Sequence, residues 1–349
     1  MISFNNDYGQ TAHPAVIEAV IKAQGKTFPG YGEDEACDAA AQRIRSLCGA
    51  PDCQVHFLPG GTQANLTLIA SVLRPHQGVL CADTGHIASH ETGAIEATGH
   101  KVLTLPHQDG KITPAQIQDF VARHRADDTR EHMPQPGLVY LSNTTEFGTV
   151  YTAPELSALS ACCRQMDLPL YLDGARLGYA LAAADGQLSF SDIARCCDAF
   201  TIGGTKQGLL YGEALVITNP ALQKDFRYHI KQRGGLLGKG FLMGLQFKAL
   251  LQDGLYLSLA QSATTQALRI RHAFTAQGIP LFCDSPSNQQ FPILTAGQMA
   301  SLANAFIFAR MMPLDDNRWL ARFCTSWATL PQEVDQLLKA IQKLDSIKA

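Results

Sequence analysis

The sequence lacks long apolar runs and long basic runs, and each absence argues against a class of protein. Without an apolar run long enough to span a bilayer, we expect no membrane partner. The formal net charge of −3 and the lack of a basic run argue against nucleic acid as a partner. The amino terminus lacks the basic-then-apolar pattern of a secretory signal, so we expect a cytoplasmic protein.

Cysteine is present, at ten positions, but without the spacing that its usual special roles require. No Cys-x-x-Cys occurs, and Cys162-Cys163 and Cys196-Cys197 are neighbours along the chain. We therefore expect free thiols in a reducing compartment, most of them buried as small apolar side chains. Since no group of residues has zinc-ligand spacing, we expect no metal.

Length and periodicity predict a two-domain protein that begins with an α/β domain. The 349 residues, 46% of them hydrophobic, suffice for two domains. Short β-rich runs alternate with helical stretches such as 65–73 and 153–166, which indicates a mostly parallel sheet with helices on both faces. The predicted strands cover residues 55–58, 79–82, 102–105, 138–142, 168–172, 199–202 and 214–217.

The pattern changes after about residue 250. There a long helix is predicted over 257–277 and a closing helix over 332–344. Strands are predicted between them, over 280–283, 290–294 and 319–325. We therefore predict a large α/β domain over 1–250 and a smaller α+β domain over 251–349. The segment 1–35 is expected to join the small domain or a subunit interface.

Two predicted strands end at residues that one cofactor needs together. Asp173 follows a buried run, and Lys206 lies among glycines in the motif 203–208. Sites in parallel sheets lie at the carboxyl ends of strands, so we expect the two side chains to be close. Pyridoxal 5'-phosphate needs a lysine for its Schiff base and an acid that keeps its pyridine nitrogen protonated. The alternatives are a turn-forming acid and a solvated lysine.

Two further motifs fit the same cofactor. Gly61 and Thr62 follow a strand and open a helix, where backbone N–H groups and a hydroxyl can bind phosphate. The alternative is an ordinary turn with Thr62 as the helix cap. His86 follows another strand and can stack on a planar cofactor or move protons. With His90 it could also mimic a metal pair, but the sequence is not His-Glu-x-x-His.

Taken together, these motifs resemble those of the low-specificity L-threonine aldolases, which are fold-type I pyridoxal phosphate enzymes. The resemblance implies an aspartate-aminotransferase-like fold, a mostly parallel seven-stranded sheet with a smaller C-terminal α+β domain. It also implies retro-aldol cleavage of L-threonine or L-allo-threonine to glycine and an aldehyde. The matching blocks, in family order, are 31–34, 61–62, His86 with Glu91, 145–151, 173–177, 203–208, 288–291 and 322–327.

The resemblance also implies residue roles. Lys206 would form the Schiff base, Asp173 would pair with the pyridine nitrogen, and His86 would stack on the ring. Gly61 and Thr62 would hold the phosphate. Arg176 would contact the cofactor's phenolic oxygen or the substrate carboxylate, and Arg322 and Asn6 would bind that carboxylate. Tyr31 would contact the substrate from a neighbouring subunit. His132 would transfer a proton at the β-hydroxyl. Asn6 stands where the family usually has serine, and asparagine also donates a hydrogen bond.

Several alternatives remain open at the level of sequence. The base is either His132, which is slightly favoured, or His86. A homodimer or homotetramer with shared sites is implied, in which Lys231, Arg233 or Lys239 reaches a neighbour's phosphate. With the same cofactor, the chain could alternatively be a β-eliminating lyase, an aminotransferase or a phenylserine aldolase. A ligand sensor without catalysis and a metal-dependent aldolase are further alternatives.

Overall fold

The computed structural model describes residues 1–183 and 187–344. In this part of the chain the strands are β1 (Ile2–Ser3), β2 (Gln54–Leu58), β3 (Gln77–Ala82), β4 (Lys101–Leu105), β5 (Gln135–Ser142), β6 (Leu170–Asp173), β7 (Ala199–Gly203), β8 (Glu213–Ile217), β9 (Gln289–Gln290), β10 (Ile293–Thr295), β11 (Phe306–Ile307), β12 (Ala309–Pro313) and β13 (Arg318–Cys324). The α-helices are α1 (Pro14–Lys22), α2 (Glu35–Cys48), α3 (Gly61–Val72), α4 (His86–Ser89), α5 (Pro114–Ala126), α6 (Ala153–Met166), α7 (Leu177–Ala182), α8 (Phe190–Cys196), α9 (Phe226–Gln232), α10 (Phe241–Leu250), α11 (Leu255–Ala276), α12 (Ala296–Ala303) and α13 (Pro331–Ile341).

Seven of these strands form the central sheet, in the order β2-β8-β7-β6-β5-β3-β4. The pairs from β7 to β4 are all parallel, whereas β8 runs antiparallel to both of its neighbours. The predicted mostly parallel sheet is therefore confirmed. Its carboxyl-end edge collects the loops that follow β3, β5, β6 and β7, because parallel strands point their ends in one direction.

The central strands are apolar because both faces of the sheet are covered. Every residue of β6 and β7 is buried. Alternate residues enter two separate cores: Leu141 and Leu172 pack on one face, and Tyr140 and Tyr171 pack with α3 on the other. Tyr140 and Tyr171 are also direct partners across β5 and β6, so their polar ends lie on the same face.

The later part of the chain forms a second sheet, with the order β10-β13-β12 and β9 paired to β13. Strand β1 pairs with β11, which brings the first residues of the chain beside this part. The strand predicted over 280–283 is reduced to a bridge between Leu281 and Pro292. The strand predicted over 290–294 is divided between β9 and β10. The domain boundary near residue 250 stays a prediction.

The ten cysteines are free and buried, in line with their expected role as apolar side chains. No helix in the described part of the chain is both long and apolar enough to cross a membrane. Within residues 1–183 and 187–344, no group of three or more His, Cys, Asp or Glu side chains is arranged to hold a metal ion.

Candidate active site

The predicted acid and lysine lie in one cavity at the carboxyl-end edge of the central sheet. Asp173 is the last residue of β6, and Lys206 lies in the 3₁₀ turn Thr205–Gln207 that follows β7. The cavity measures about 280 Å³, close to the lower end of the range of about 300–1,000 Å³ for small-molecule sites. The predicted residues that line it are Gly61, Thr62, His86, Asp173, Arg176 and Lys206.

Asp173 is buried and held by three hydrogen bonds. Its Oδ2 accepts from Asn65 Nδ2 at 2.9 Å and from the Tyr140 hydroxyl at 2.7 Å. Its Oδ1 accepts from the backbone N–H of Ala175 at 2.9 Å. Burial acts to raise the pKa of Asp173, but the charge of His86 and these hydrogen bonds hold it below its usual value. Asp173 is therefore an ionised carboxylate in a fixed orientation at the base of the cavity.

His86 belongs to the same hydrogen-bond network. Its Nδ1 lies 2.7 Å from Glu91 Oε1, and the same oxygen accepts from Asn65 Nδ2 at 2.7 Å. Burial acts to lower the pKa of His86, whereas the hydrogen bond to Glu91 and the charge of Asp173 raise it, with a net increase. His90 lies beside His86 with a ring-centre separation of 5.6 Å and does not line the cavity.

Lys206 lies among charged groups at the rim of the sheet and is half-buried. Burial and the Arg176 guanidinium lower the pKa of its amine, and nearby carboxylates such as Asp7 partly offset this. Glu213, the first residue of β8, also lines the cavity, and burial raises its pKa to about 8. A lysine with a lowered pKa is a better nucleophile at neutral pH.

Helix α3 begins at Gly61 and directs its amino terminus at the cavity. Its N-cap is Gly60, which has no side chain to accept a hydrogen bond from the first turn. Thr62 is the second residue inside the helix and is exposed, so the alternative in which Thr62 is the helix cap does not apply. Apart from the adjoining backbone, no described residue has an atom within 4 Å of the position that a Cβ on Gly60 or Gly61 would occupy. The free N–H groups and this space form a site suited to phosphate.

Arg176 is bound to a carboxylate of the chain itself. Its Nε donates to Asp7 Oδ2 at 2.8 Å and its Nη2 donates to Asp7 Oδ1 at 3.0 Å. Asn288 Nδ2 donates to the same Oδ2 at 3.0 Å. Burial acts to raise the pKa of Asp7, but Arg176 and Lys206 lower it to about 2. The guanidinium fork that was predicted to contact the cofactor or the substrate thus holds Asp7 in this structure.

Asn6 and Arg322 lie next to this ion pair and not in the lining of the cavity. Arg322, on β13, donates from Nη2 to the carbonyl oxygen of Asn5 at 3.0 Å. Asn6 therefore lies between Asn5, whose carbonyl is held by Arg322, and Asp7, whose carboxylate is held by Arg176. The Nε of Arg322 is buried and has no hydrogen-bond partner in the described part of the chain.

Tyr31 lies away from Lys206, at a second cavity of about 370 Å³. Its ring is exposed, and Lys231 Nζ lies 4.4 Å from the ring centre. Of the other two basic residues predicted to reach a neighbour, Lys239 is exposed and Arg233 is half-buried. The carbonyl oxygen of Arg233 accepts from Gln63 Nε2 in the first turn of α3 at 2.8 Å.

His132, the favoured candidate for the base, lies at the opposite edge of the sheet from the cavity of its own subunit. It ends the 3₁₀ turn Arg130–His132 and is exposed, just before β5 begins at Gln135. The cavity is at the other end of β5, beside Ser142, so the length of this strand, roughly 23 Å, separates His132 from the site. His132 therefore cannot contact a substrate in the cavity of its own subunit.

Several lining residues were missed by the sequence reasoning. Asn65 and Tyr140 fix Asp173, and Thr144, Glu146 and Glu213 line the cavity. The strand predicted over 138–142 did indicate that the segment after it, which contains Thr144 and Glu146, could line the site. Loops at the carboxyl ends of parallel strands commonly carry site residues. For Asn65 no sequence signal was available, since its contact with Asp173 joins residues 108 positions apart.

The residues present fit pyridoxal phosphate. The cavity joins an amine, a buried carboxylate and a helix amino terminus with space for an anion. Thr144 Oγ1 and Glu213 Oε2 line it and are buried without a hydrogen-bond partner among the described residues. Such orphaned polar atoms indicate that a polar ligand belongs there.

Known proteins share the fold of this chain, and some are also similar to it in sequence. A structure of Thermus thermophilus aspartate aminotransferase matches with a TM-score of 0.70 at 14% identity, covering 97% of this chain and 90% of that one. The fold is accordingly that of the aspartate-aminotransferase-like, fold-type I enzymes, whose cofactor is pyridoxal phosphate. The family model of the beta-eliminating lyases matches residues 9–292, and the chain belongs to this family.

Two relatives are similar over nearly the whole chain. A low specificity L-threonine aldolase of Pseudomonas sp. (strain NCIMB 10558) is 32% identical over 348 residues, which is 95% of each protein. A solved structure of a Leishmania major threonine aldolase is 44% identical, with a TM-score of 0.96. It covers 98% of this chain and 99% of its own.

Proposed function

We propose that this chain is a pyridoxal phosphate-dependent aldehyde-lyase that cleaves L-threonine and L-allo-threonine to glycine and acetaldehyde. The observation that carries the proposal is the cavity in which Lys206 and the buried Asp173 meet the open amino terminus of α3. The reaction is supported by similarity to threonine aldolases over 95% and 98% of this chain. Other β-hydroxy-α-amino acids that release an aldehyde, such as phenylserine, belong to the same substrate class.

The bound cofactor supplies an acceptor for the electron pair left at the α-carbon when a bond to that carbon breaks. Lys206 is the amine that holds it. Asp173, ionised and fixed by three hydrogen bonds, keeps a proton on the pyridine nitrogen by its opposite charge. Gly61 and Thr62 bind the phosphate through N–H groups and a hydroxyl. His86, oriented by Glu91, packs against the ring.

Asn6 and Arg322 bind the substrate carboxylate in this proposal. The unpartnered Nε of Arg322 supports this role, because a buried donor without an acceptor is stabilised by an incoming carboxylate. Arg176 acts through its pair with Asp7, which holds the segment around Asn6. A fixed carboxylate sets which bond at the α-carbon is aligned for cleavage. Cleavage further needs a base at the β-hydroxyl, and of the two predicted histidines His86 lines the cavity.

We further propose a cytoplasmic homodimer or homotetramer whose sites are completed by a neighbouring subunit. Tyr31 and Lys231 support this arrangement, because they are exposed and packed on each other away from the cavity of their own subunit. Lys231, Arg233 and Lys239 are the candidate cations for a neighbour's phosphate. Size measurement by light scattering, with and without pyridoxal phosphate, tests the assembly.

Product analysis tests the proposed reaction. Purified protein supplied with pyridoxal phosphate and L-threonine is expected to release acetaldehyde and glycine in equal amounts. Ammonia with a 2-oxo acid in place of acetaldehyde would indicate a β-eliminating lyase. A 2-oxo acid without ammonia, formed catalytically only when a second 2-oxo acid is added to accept the amino group, would indicate an aminotransferase. Cofactor binding without any product would indicate a ligand sensor. Loss of activity on addition of a chelator would indicate a metal-dependent aldolase.

A further inference from the structure

One wall of the cavity is formed by the segment that follows β5, and it includes a carboxyl group without an assigned role. Ser142, Thr144, Thr145 and Glu146 all line the cavity on this side. Glu146 is half-buried, so part of its side chain faces the cavity. Its Oε1 accepts a hydrogen bond from the Ser142 hydroxyl at 2.7 Å, which fixes the carboxyl group at this wall.

Four of the other titratable groups that line the cavity are already engaged. Asp173 accepts three hydrogen bonds from the chain, and Arg176 is paired with Asp7. The Nδ1 of His86 is bound to Glu91, and a ring that packs flat against a cofactor presents its nitrogen atoms sideways. Lys206 holds the cofactor in the proposed function. Two lining carboxylates, Glu146 and Glu213, have no other use in the proposed mechanism. Glu213 is buried and interacts with Lys206, whereas Glu146 is only half-buried and is the one we consider here.

The environment of Glu146 suits a base. Burial raises the pKa of its carboxyl group, although the Ser142 hydrogen bond and the charge of His86 oppose the increase and Asp173 adds to it. A carboxylate with a raised pKa accepts a proton more readily near neutral pH than one exposed to water. In the proposed function the cavity wall toward α3 would hold the cofactor's phosphate, and the amine of Lys206 would hold the cofactor itself. The wall formed by the end of β5 and the segment after it, which carry Ser142, Thr144 and Glu146, remains available to the substrate's side chain.

We propose that Glu146 is the base that takes the proton of the substrate's β-hydroxyl, with Ser142 as the residue that positions it. The proposal rests on the proposed aldolase function. The hydroxyl proton moves to the Glu146 carboxylate, and the O–H electron pair forms the carbonyl of the departing aldehyde. The Cα–Cβ bond breaks and its electron pair stays at the α-carbon, which then takes a proton. Glu146 releases its own proton, so the cycle needs no oxidant or reductant.

The test separates cleavage of threonine from chemistry at the α-carbon alone. Exchange of a glycine α-hydrogen with D₂O uses the same cofactor and lysine but no β-hydroxyl. We expect Glu146→Gln to lower acetaldehyde release from L-threonine by about 10²–10⁴-fold, the usual contribution of a general base. Glycine exchange followed by NMR, and the cofactor absorbance near the visible edge, are expected to stay within about twofold. Glu131→Gln, at the exposed opposite edge of the sheet, is the matched control.

A second variant covers the case in which Glu146→Gln fails to fold. Ser142→Ala leaves the carboxylate in place but removes its hydrogen bond, which raises the pKa of Glu146. The rising limb of the pH–rate profile for threonine cleavage is then expected to move to higher pH, while glycine exchange is retained. Unchanged cleavage in Glu146→Gln overturns the proposal, and so does an unmoved pH profile in Ser142→Ala. Parallel loss of cleavage, exchange and absorbance would also overturn it. A wild type that binds cofactor and exchanges glycine but releases no acetaldehyde contradicts the aldolase function itself.

Discussion

Arg176 and Asp7, which are 169 positions apart in the sequence, form a bidentate ion pair with nitrogen-to-oxygen distances of 2.8 and 3.0 Å. The pair joins the amino-terminal segment to the turn between β6 and α7, directly after Asp173. Asp7 is fully buried, and the Arg176 side chain is 13% exposed. The contact therefore couples the position of the amino terminus to the acid at the base of the cavity.

The first prediction concerns the stability that this pair provides. We expect Asp7→Asn to lower the free energy of unfolding by about 3–5 kcal/mol, because the variant leaves the Arg176 charge buried and unpaired. Urea unfolding followed by circular dichroism measures the change. Asp119→Asn is the control, since it breaks an exposed pair with Arg123 and is expected to cost less than about 1 kcal/mol. Equal losses in the two variants would contradict this explanation.

The same pair gives a pH dependence with a defined sign. The folded state lowers the pKa of Asp7 from 3.8 to about 2, so its contribution is complete above pH 3.8 and is lost as pH falls toward 2. The stability difference between wild type and Asp7→Asn is expected to shrink over this range by about 2 kcal/mol. A difference that is independent of pH between 4 and 2 would show that Asp7 is not the titrating group.

The second prediction concerns the link between Glu91 and His86. Burial acts to lower the pKa of His86, and the hydrogen bond to Glu91 is the first of the effects that raise it. We therefore expect Glu91→Gln to make His86 titrate at lower pH than in wild type, measured by NMR of the imidazole C–H signals. Glu96→Gln changes an exposed residue of the same loop and is expected to leave the midpoint unchanged. A higher midpoint in Glu91→Gln would contradict the assigned pairing.

The third prediction concerns the turn that aims Asp173. A Cβ on Gly174 would lie 2.0 Å from the carbonyl oxygen of Thr201 in β7, which is closer than two non-bonded atoms can approach. We expect Gly174→Ala to destabilise the fold by about 3 kcal/mol or more and to lower cofactor content, because β6 and β7 must separate. The control Gly297→Ala has open space around its Cβ and is expected to be neutral or slightly stabilising in α12. Thermal midpoints and bound-cofactor absorbance decide between the outcomes.

The fourth prediction concerns the role of His132. We expect His132→Asn to retain kcat/KM for L-threonine within about twofold, because the side chain is exposed at the amino-terminal edge of the sheet. Acetaldehyde release measures it directly. A loss of a hundredfold or more would place His132 at a reacting group, supplied from another subunit.

Much of the site could be predicted because its reactive residues directly follow predicted strands. Asp173 and Lys206 follow buried runs, and the parallel topology that brings those ends together also follows from the alternation of strands and helices. The role of His132 rested on family order alone, and this rule does not support it. His132 precedes β5, so the rule itself assigns it to the opposite edge of the sheet.

The residues that the sequence could not reveal act through long-range contacts. The pairing of Asp7 with Arg176 and of Asn65 with Asp173 depends on how separate elements pack, and neither pattern of residues is unusual locally. Glu146 was visible only as part of a matching block, because the burial that changes its basicity exists only in the folded chain. The predicted lengths of the strands after residue 280 were wrong for a related reason. Irregular backbone there packs apolar side chains just as a strand would, so the apolar pattern does not distinguish the two.

The most direct test of the central claim is acetaldehyde release from L-threonine and L-allo-threonine, measured for wild type and Lys206→Ala with and without added pyridoxal phosphate. We predict that cofactor-loaded wild type releases acetaldehyde and glycine in equal amounts, and that Lys206→Ala releases neither above background although it remains folded. Ammonia in place of acetaldehyde, or cleavage by Lys206→Ala at the wild-type rate, would contradict the account.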